Sequence, residues 1–493
     1  MGAYGIVEDS HDQSVLDETV SFSKMALFGV LEEEGLRITG RNAVIRWLCG
    51  IGLFLTACAS VESTPHAASA EASDVLVLTG RVIDGTGAEP IADGIVVVDG
   101  ESVRCAGPRA ACDVPRGARV IDVESGTILP GLIDLHAHVR PHYLSFFLAA
   151  GVTSVRDASN NFEMLEGMGR DGPGRARLFW SGPAIDGEGS VLGQTALRVR
   201  SADDGRAAVD SLVARGVDVI KLYQQISTEA FHAATRRARE HGLPVATDLG
   251  LQVGRGLTVS EVDALEAIEA GVTSIEHASG FALAFRRLGG DPARDPLDAA
   301  LVDSLARALV AYDVVLVPTL GLTHSFASET PPSIEGVPLA SETPPDMIEW
   351  WRTMHASLSR EARVRAAADY RLAAALVRRV AELGGRIGAG TDTPAGPLVL
   401  PGGGLHRELE LLVEAGLSPL QAIHAATGEA ARTLGRPERG VIAAQKVADL
   451  LVVDGDPSVD IHATRRIRHV IKAGRVLSPD SLRAHARAST TAN

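Results

Sequence analysis

The feature that most constrains the fold is a long central alternation of short apolar segments and alanine-rich amphipathic segments. The apolar segments are typical of buried strands, and the segments between most of them have helical periodicity. The eight strand candidates span residues 132–136, 154–157, 177–181, 217–222, 245–249, 273–277, 314–319 and 386–391. Eight strand–helix repeats predict an α/β fold, namely a parallel (β/α)8 TIM barrel. Between the last two strands, we expect a loop over 331–345 and one or two helices over 346–383.

Two β-rich segments flank this alternation. Short alternating strands with Asp-Gly turns occupy residues 74–126, and similar strands return in residues 435–478. We expect both ends to pair into one flanking β-sandwich, with residues 127–434 as the barrel domain. Residues 479–493 are expected to form a flexible tail.

The N-terminal region is predicted to be a targeting segment. Three arginines precede the apolar stretch 47–57, which is too short to span a bilayer and fits a signal-peptide core. The stretch runs into Leu55-Thr56-Ala57-Cys58, which resembles a bacterial lipoprotein cleavage box. That resemblance implies that residues 1–57 are a leader, that Cys58 becomes lipidated and that residues 58–73 are a linker. The protein would then be lipid-anchored on the periplasmic side of a bacterial membrane.

The alternative for the leader is a buried apolar helix with a chance cysteine. The small, polar residues that follow Cys58 are typical of a linker and disfavour that alternative. Residues 1–36 fit no signal peptide, so we expect the true start codon to lie further downstream.

Composition excludes some classes of function. A 493-residue chain that is 45% hydrophobic and 22% charged is globular, and its formal net charge of -15 argues against nucleic-acid binding. Cys105 and Cys112 lie close together outside the leader. In an oxidising periplasm they could form a disulfide, and the alternative is two free thiols.

The first strand candidate ends in a His-x-His pattern. Residues two apart in a strand project from the same face, so His136 and His138 are expected to point the same way at its C-terminal end. Such a pair of imidazoles is a ready metal-binding unit. Two unrelated histidines on a half-buried strand are the alternative, which the other strands of the barrel disfavour.

Other polar residues fall at the same ends of the barrel strands, where barrel active sites are built. Lys221 is the only lysine between Lys24 and Lys446, and a barrel lysine can react with CO2 to give a metal-bridging carbamate. His277 ends the sixth strand and Asp392 follows the eighth. Asp392 is predicted to ligate the metal and to take a proton from the activated water, with helix capping as the alternative.

Several segments together resemble the metal-dependent amidohydrolase superfamily, nearest its prolidase-like and imidazolonepropionase-like branch. The segments are Leu129-Pro130-Gly131-Leu132-Ile133-Asp134-Leu135-His136-Ala137-His138, Gly151-Val152-Thr153-Ser154-Val155-Arg156-Asp157, Ser274-Ile275-Glu276-His277, Leu405-His406-Arg407-Glu408-Leu409 and Lys446-Val447-Ala448-Asp449-Leu450. The resemblance implies a barrel with a β-sandwich, one or two divalent metal ions (usually zinc) and hydrolysis of a C–N bond. The substrate would be a small amide, a dipeptide or a cyclic amide. Membrane contact is expected through the lipid anchor only, and the sequence does not indicate the oligomeric state.

One position departs from the family pattern. Asp248 stands where the family places a histidine that binds a second metal ion. A carboxylate can replace that ligand, and the alternative is a capping or solvent-exposed role. Tyr223 and His324 are candidates for substrate contact, with ordinary loop packing as the alternative. An ester, lactone or carbamate hydrolase on the same scaffold and a non-catalytic binding lipoprotein are the competing functions.

Overall fold

The computed structural model describes residues 75–255 and 260–491. Its strands are β1 (Val75–Val82), β2 (Ile91–Asp99), β3 (Ser102–Pro108), β4 (Arg119–Pro130), β5 (Leu132–Ala137), β6 (Val152–Asp157), β7 (Arg177–Phe179), β8 (Ala184–Asp186), β9 (Ala196–Arg198), β10 (Ile220–Leu222), β11 (Val245–Thr247), β12 (Ser274–Glu276), β13 (Val315–Val317), β14 (Leu450–Val453), β15 (Ile467–Lys472) and β16 (Arg475–Leu477). The leader and linker predicted for residues 1–73 lie outside the described residues.

The helices alternate with the central strands and continue after them. They are α1 (Tyr143–Ala149), α2 (Phe162–Met168), α3 (Ala202–Ala214), α4 (Thr228–Glu240), α5 (Gln252–Arg255), α6 (Ala264–Ala270), α7 (Phe281–Arg287), α8 (Ala299–Ala311), α9 (Leu320–Ala327), α10 (Pro345–Ala356), α11 (Arg360–Glu382), α12 (Gly403–Glu414), α13 (Pro419–Ala425), α14 (Gly428–Thr433) and α15 (Pro479–Thr491). Helices α10 and α11 fill the long interval between the last two predicted strands. In the described part of the chain, no helix has the length and hydropathy needed to cross a membrane.

The helix starts follow from local sequence. Ser201, Ser227 and Ser359 precede α3, α4 and α11 with extended backbones, and each serine side chain accepts a hydrogen bond from the backbone N–H three residues on. This satisfies one of the orphan donors at each helix start. Small and apolar residues then recur on one face of α4, including the buried Phe231 and Ala234, and pack that face against the strands.

The central strands form two parallel sheets. One has the order β13-β12-β11-β10-β8-β9, and the other has the order β5-β6-β7. The Asp218 N–H donates to the Trp180 carbonyl at 2.7 Å, which connects β7 to the chain entering β10. The predicted α/β architecture of parallel strands and helices is therefore confirmed.

The eighth predicted strand, 386–391, is not a regular strand. It lies between the two parallel sheets, because the Gly388 N–H donates to Leu316 of β13 and the Leu135 N–H of β5 donates to Ala389. Two glycines explain its irregular pairing, since glycine weakens a strand. At Gly390 a Cβ atom would lie 2.9 Å from the Cβ atom of His136, so glycine permits this close approach.

Both chain ends contribute to one seven-stranded sheet of order β16-β15-β14-β4-β1-β2-β3. Strand β14 pairs antiparallel with β4, which confirms that the two β-rich ends pair. The sequence predicted a sandwich, whereas the strands are connected as a single sheet. A single residue, Gly131, separates β4 from β5, so the sheet leads directly into the strand that carries His136.

Two further expectations are resolved by the structure. The prediction of a flexible tail is wrong for residues up to 491, because they form α15 and bury Leu482 and Ala486 four residues apart on one helix face. Cys105 and Cys112 form a disulfide with an S–S distance of 2.02 Å, so of the two alternatives the paired one holds.

Candidate metal centre and active site

Two histidines and an aspartate converge at the C-terminal end of β5. His136 lies in β5 and His138 follows it, and both Nε2 atoms face Oδ1 of Asp392, at 3.4 and 3.1 Å. One potential ligand atom from each of these residues lies within 4.8 Å of the other two. Two imidazoles and a carboxylate at this spacing can hold a divalent metal ion.

Backbone pairing with β5 holds Asp392 in place. The Asp392 N–H donates to the His136 carbonyl at 2.7 Å, and the His138 N–H donates to Thr393 at 2.8 Å. The buried Asp134 carboxylate fastens the same two segments together, because it accepts hydrogen bonds from the His136 N–H and from the Thr391 N–H and hydroxyl. The spacing of His136 and Asp392 is therefore set by the backbone rather than by the flexible ends of side chains.

His277 and Asp248 extend the cluster on its other side. The His277 Nε2 atom lies 3.9 Å from Asp392 Oδ2 and 3.5 Å from Asp248 Oδ2, and the ring of His277 lies 4.4 Å from that of His136. Asp248 follows β11 at the same rim and is buried. Its other oxygen, Oδ1, accepts a hydrogen bond from the Gly250 N–H at 2.9 Å, so this oxygen caps the turn while Oδ2 faces His277.

The ring orientation of His136 is fixed from behind by Glu276. The Glu276 Oε2 atom lies 2.7 Å from His136 Nδ1. An ionised carboxylate can only accept, so Nδ1 carries the proton and the Nε2 lone pair faces Asp392 when the ring is neutral. Arg156 and Ser274 donate to Glu276 Oε1 at 2.7 and 2.6 Å. The charge of Arg156 balances the negative charge of the buried Glu276 carboxylate.

Thr319 plays the corresponding part for His277. Its hydroxyl oxygen lies 2.7 Å from His277 Nδ1, on the ring atom opposite the cluster. Burial lowers the pKa of His277 to about 4, so the ring is neutral near pH 7 and its Nε2 lone pair can bind a cation. Neither Glu276 nor Thr319 was among the residues predicted from sequence.

The carboxylates of the centre are ionised. Burial opposes ionisation of Asp392, but His277, His136 and His138 outweigh it and hold its pKa well below the usual range. Arg156 and His136 likewise lower the pKa of Glu276 against the effect of burial. The ionised Asp392 carboxylate faces the Nε2 atoms of His136 and His138, and it would attract a cation placed between these groups.

Lys221 lies in β10 with its amine buried beside this cluster. The Nζ atom has no hydrogen-bond partner among the residues the structure describes. Burial lowers the pKa of Lys221, which favours the neutral and nucleophilic amine. Lys221 is only 3% exposed, so its amine does not extend into solvent.

Strained backbone concentrates at the centre. His277, Thr319 and Asp392 have φ angles of 62°, 44° and 58°, in the left-handed region that residues other than glycine seldom adopt. Each such residue costs about 1–3 kcal/mol and persists where surrounding contacts fix it. At His277 this turn ends the strand alternation, so that Glu276 and His277 both reach His136.

The cluster forms the floor of a cavity of about 280 Å3. The predicted metal-binding residues all line it, and so does Tyr223. Further lining residues are Arg140, Asn160, Phe326, Trp350 and Met354. His324, the other predicted substrate contact, is not among the lining residues. It lies on α9 with its ring 5.5 Å from that of Tyr370, so its local role is packing.

A known protein family matches the C-terminal part of the chain. Residues 348–478 match the model described as the amidohydrolase family. The matched segment contains Asp392 and β14 to β16, and the histidines of the centre lie outside it. The match supports the superfamily that the sequence motifs indicated.

Two curated relatives are similar to this chain. Adenine deaminase 2 of Agrobacterium fabrum is 40% identical over 80 residues, which cover 16% of this chain and 12% of that protein. Enamidase of Eubacterium barkeri is 24% identical over 390 residues, which cover 76% of this chain and 85% of that protein. The chain therefore spans a small part of the first relative and most of the second.

Solved structures share the fold. A Xaa-Pro dipeptidase crystallised with methionine in its active site aligns with a TM-score of 0.60 and 22% identity, covering 82% of this chain and all of that one (100%). At this identity the likeness bears on the fold. The family match and the relatives agree with the predicted enzyme class, a hydrolase of C–N bonds.

Proposed function

We propose that this protein is a metal-dependent amidohydrolase that cleaves the C–N bond of a small amide or dipeptide with an activated water. The observation that carries the proposal is the convergence of His136 Nε2, His138 Nε2 and Asp392 Oδ1 within 4.8 Å. These atoms lie in a cavity large enough for a small ligand. The family match and the enamidase likeness support the same chemistry.

The residues divide the chemical work between them. His136, His138, His277 and Asp392 would hold the ion, which we take to be zinc or another divalent metal. Such an ion, when bound, acidifies water and polarises a carbonyl. Asp392 accepts a proton from the attacking water and delivers it to the leaving nitrogen, because its ionised carboxylate faces the cavity.

Lys221 and Asp248 are proposed to serve a second ion. Carboxylation of the Lys221 amine by CO2 would give the unpartnered Nζ a function and place an anionic ligand between two ions. Asp248 would supply a carboxylate oxygen beside His277, where its Oδ2 already lies 3.5 Å from Nε2. Mass spectrometry of the intact folded protein should then detect a CO2 adduct that Lys221→Arg abolishes.

The finer architecture is also our inference. We infer that the two parallel sheets, bridged through residues 386–393, form a closed eight-stranded barrel with the cluster at its mouth. The seven-stranded sheet would fold over as the flanking sandwich, because apolar clusters lie on both of its faces, one around Leu78 and Val96 and the other around Val77 and Val97.

Removal of metal tests the function. The purified protein should contain near-stoichiometric zinc and hydrolyse N-acyl amino acids or dipeptides, and 1,10-phenanthroline should reduce the rate to background until zinc is restored.

Asp392→Asn should lower kcat by about 10²–10⁴-fold, because it removes the base. The control Asp313→Asn changes an exposed aspartate that also has a positive φ, so it should leave kcat unchanged. A folded, metal-free protein without activity would favour the binding lipoprotein instead.

We further propose that the protein is exported and lipid-anchored through Cys58 on the periplasmic side of the membrane. The cleavage-box resemblance at residues 55–58 motivates the proposal. The disulfide between Cys105 and Cys112 supports it, because such bonds persist in oxidising compartments.

A further inference from the structure

Arg140 places a guanidinium group inside the proposed active site. It follows the His-x-His pattern by two residues and lines the same cavity as His138 and Asp392. Many cations in the described part of the chain form ion pairs with carboxylates, such as Arg237 with Asp210. A cation in the wall of a substrate cavity needs a different explanation.

The hydrogen bonds of Arg140 in the described structure all go to neutral groups. Its Nη1 atom donates to the Val139 carbonyl at 3.4 Å and to Asn160 Oδ1 at 3.3 Å, and lies 3.5 Å from Met164 Sδ. Within the part of the chain that the structure describes, no ion pair to Arg140 is found, and its contacts leave Nη2 and Nε without a protein acceptor. The guanidinium therefore keeps an unused pair of donors.

The orientation of this group is prepared in advance. Asn160 is buried, and its amide nitrogen donates to Asp157 Oδ1 at 2.6 Å and to the Val139 carbonyl at 3.1 Å. The Asn160 oxygen is thereby directed to Arg140. Asp157 is the nearby acid, and its Oδ1 atom accepts from Asn160 and from the Val139 N–H. The Arg140 charge acts on Asp157 without a hydrogen bond, since Oδ2 has no hydrogen-bond partner among the described residues.

The cavity that Arg140 lines also has apolar side chains in its lining. They include Phe326, Trp350 and Met354, of which Trp350 and Met354 belong to α10. A ligand that matches both the guanidinium and the apolar side chains needs an anionic group and an apolar group. A planar carboxylate matches the two-pronged donor geometry of a guanidinium.

We propose that Arg140 is a specificity-determining residue that binds a free carboxylate of the substrate beside the scissile amide. The inference rests on the proposed function and narrows its substrate class. N-acyl amino acids and dipeptides with an apolar N-terminal part would be preferred, and neutral cyclic amides would be disfavoured.

A matched pair of ligands tests this inference. Hippurate and hippuramide differ in carrying a carboxylate or a neutral amide. Their binding to the full-length Asp392→Asn protein, in which hydrolysis is suppressed, can be followed by tryptophan fluorescence, because Trp350 lines the cavity. Introducing Arg140→Gln into this Asp392→Asn protein should raise the Kd of hippurate about 10- to 100-fold and leave that of hippuramide nearly unchanged. Arg140→Lys should fall between.

The control variant is Arg352→Gln on α10, which removes the same charge from an exposed position outside the cavity wall. It should alter neither Kd. The inference would be overturned if Arg140→Gln changed the Kd of both ligands equally or left the Kd of hippurate unchanged. Amide hydrolysis by the unmutated protein would still support the proposed function in that case. Arg140-dependent hippurate binding in a protein that hydrolyses no amide would instead overturn the proposed function and keep the carboxylate site.

Discussion

At the scale of single residues, Glu276 connects the metal-binding side chains to the interior of the parallel sheet. One of its oxygens faces His136 Nδ1 and the other accepts from Arg156 and Ser274. The partner behind a ligating histidine fixes the tautomer and the ring orientation. Glu276 is thus a positioning residue whose effect should be visible in metal affinity.

Glu276→Gln should weaken zinc binding by about 10- to 100-fold, measured by competition with a chromophoric chelator. It should also destabilise the fold, because Arg156 loses its buried counter-charge. Glu410→Gln is the matched control. Glu410 is 2% exposed and accepts a 2.6 Å hydrogen bond from Arg465, and it is not among the residues that line the cavity. That control should lose stability but keep zinc affinity. Unchanged zinc affinity in folded Glu276→Gln would refute the positioning role.

The ligand-type residues were predictable because they are chemically distinctive and follow strands. Histidine pairs and a lone lysine stand out in a chain rich in arginine, and parallel strands bring their C-terminal ends together. Glu276 was missed because strand alternation assigns it to the face opposite His277. The left-handed φ of His277 breaks that rule, and no sequence pattern announces it. For His324 the structure agrees with the packing alternative, since helix α9 begins directly after Thr319 and the ring of His324 lies against that of Tyr370.

At the scale of elements, strands with strong apolar character were predicted to within a few residues, whereas the eighth strand was not. Its pairing depends on close approach at Gly390, which only the three-dimensional arrangement reveals. The C-terminal helix α15 was missed because its apolar positions are few. Leu482 and Ala486 suffice there, since α1 and β15 supply the rest of the contact.

Helix α11 is joined to α5 by one buried acid, which gives a pH-dependent prediction. Asp369 accepts hydrogen bonds from the Gln252 side chain and the Val253 N–H at 3.1 and 2.9 Å. Burial raises its pKa to about 6 from 3.8. Because the folded state favours the protonated acid, this stabilisation is complete below about pH 4 and is lost as the pH rises through 6.

Asp369→Asn should remove that pH-dependent component. Relative to this variant, the unmutated protein should lose about 2–3 kcal/mol of unfolding free energy between pH 4 and pH 7. Urea unfolding at both pH values measures the difference, and subtraction removes the contributions of other buried acids such as Asp134. The exposed control Asp346→Asn should reproduce the unmutated pH dependence. A parallel pH dependence for Asp369→Asn would show that folding does not raise the pKa of Asp369.

At the scale of the whole molecule, the proposed anchor would hold an acidic enzyme at a membrane surface through lipid alone. The net charge of -15 gives no electrostatic attraction to anionic lipids, so membrane binding would depend on acyl chains attached at Cys58. Each buried CH2 group contributes about 0.8 kcal/mol, and one short chain gives only marginal binding, whereas a multiply acylated cysteine binds stably.

Cys58→Ser should therefore move the protein from the membrane fraction to the soluble fraction of bacterial cells and abolish labelling by radioactive palmitate. Cys49→Ser, in the apolar stretch of the leader, is the matched control and should leave both unchanged. Retention of the Cys58→Ser protein in washed membranes would contradict the lipid anchor and favour an uncleaved apolar segment.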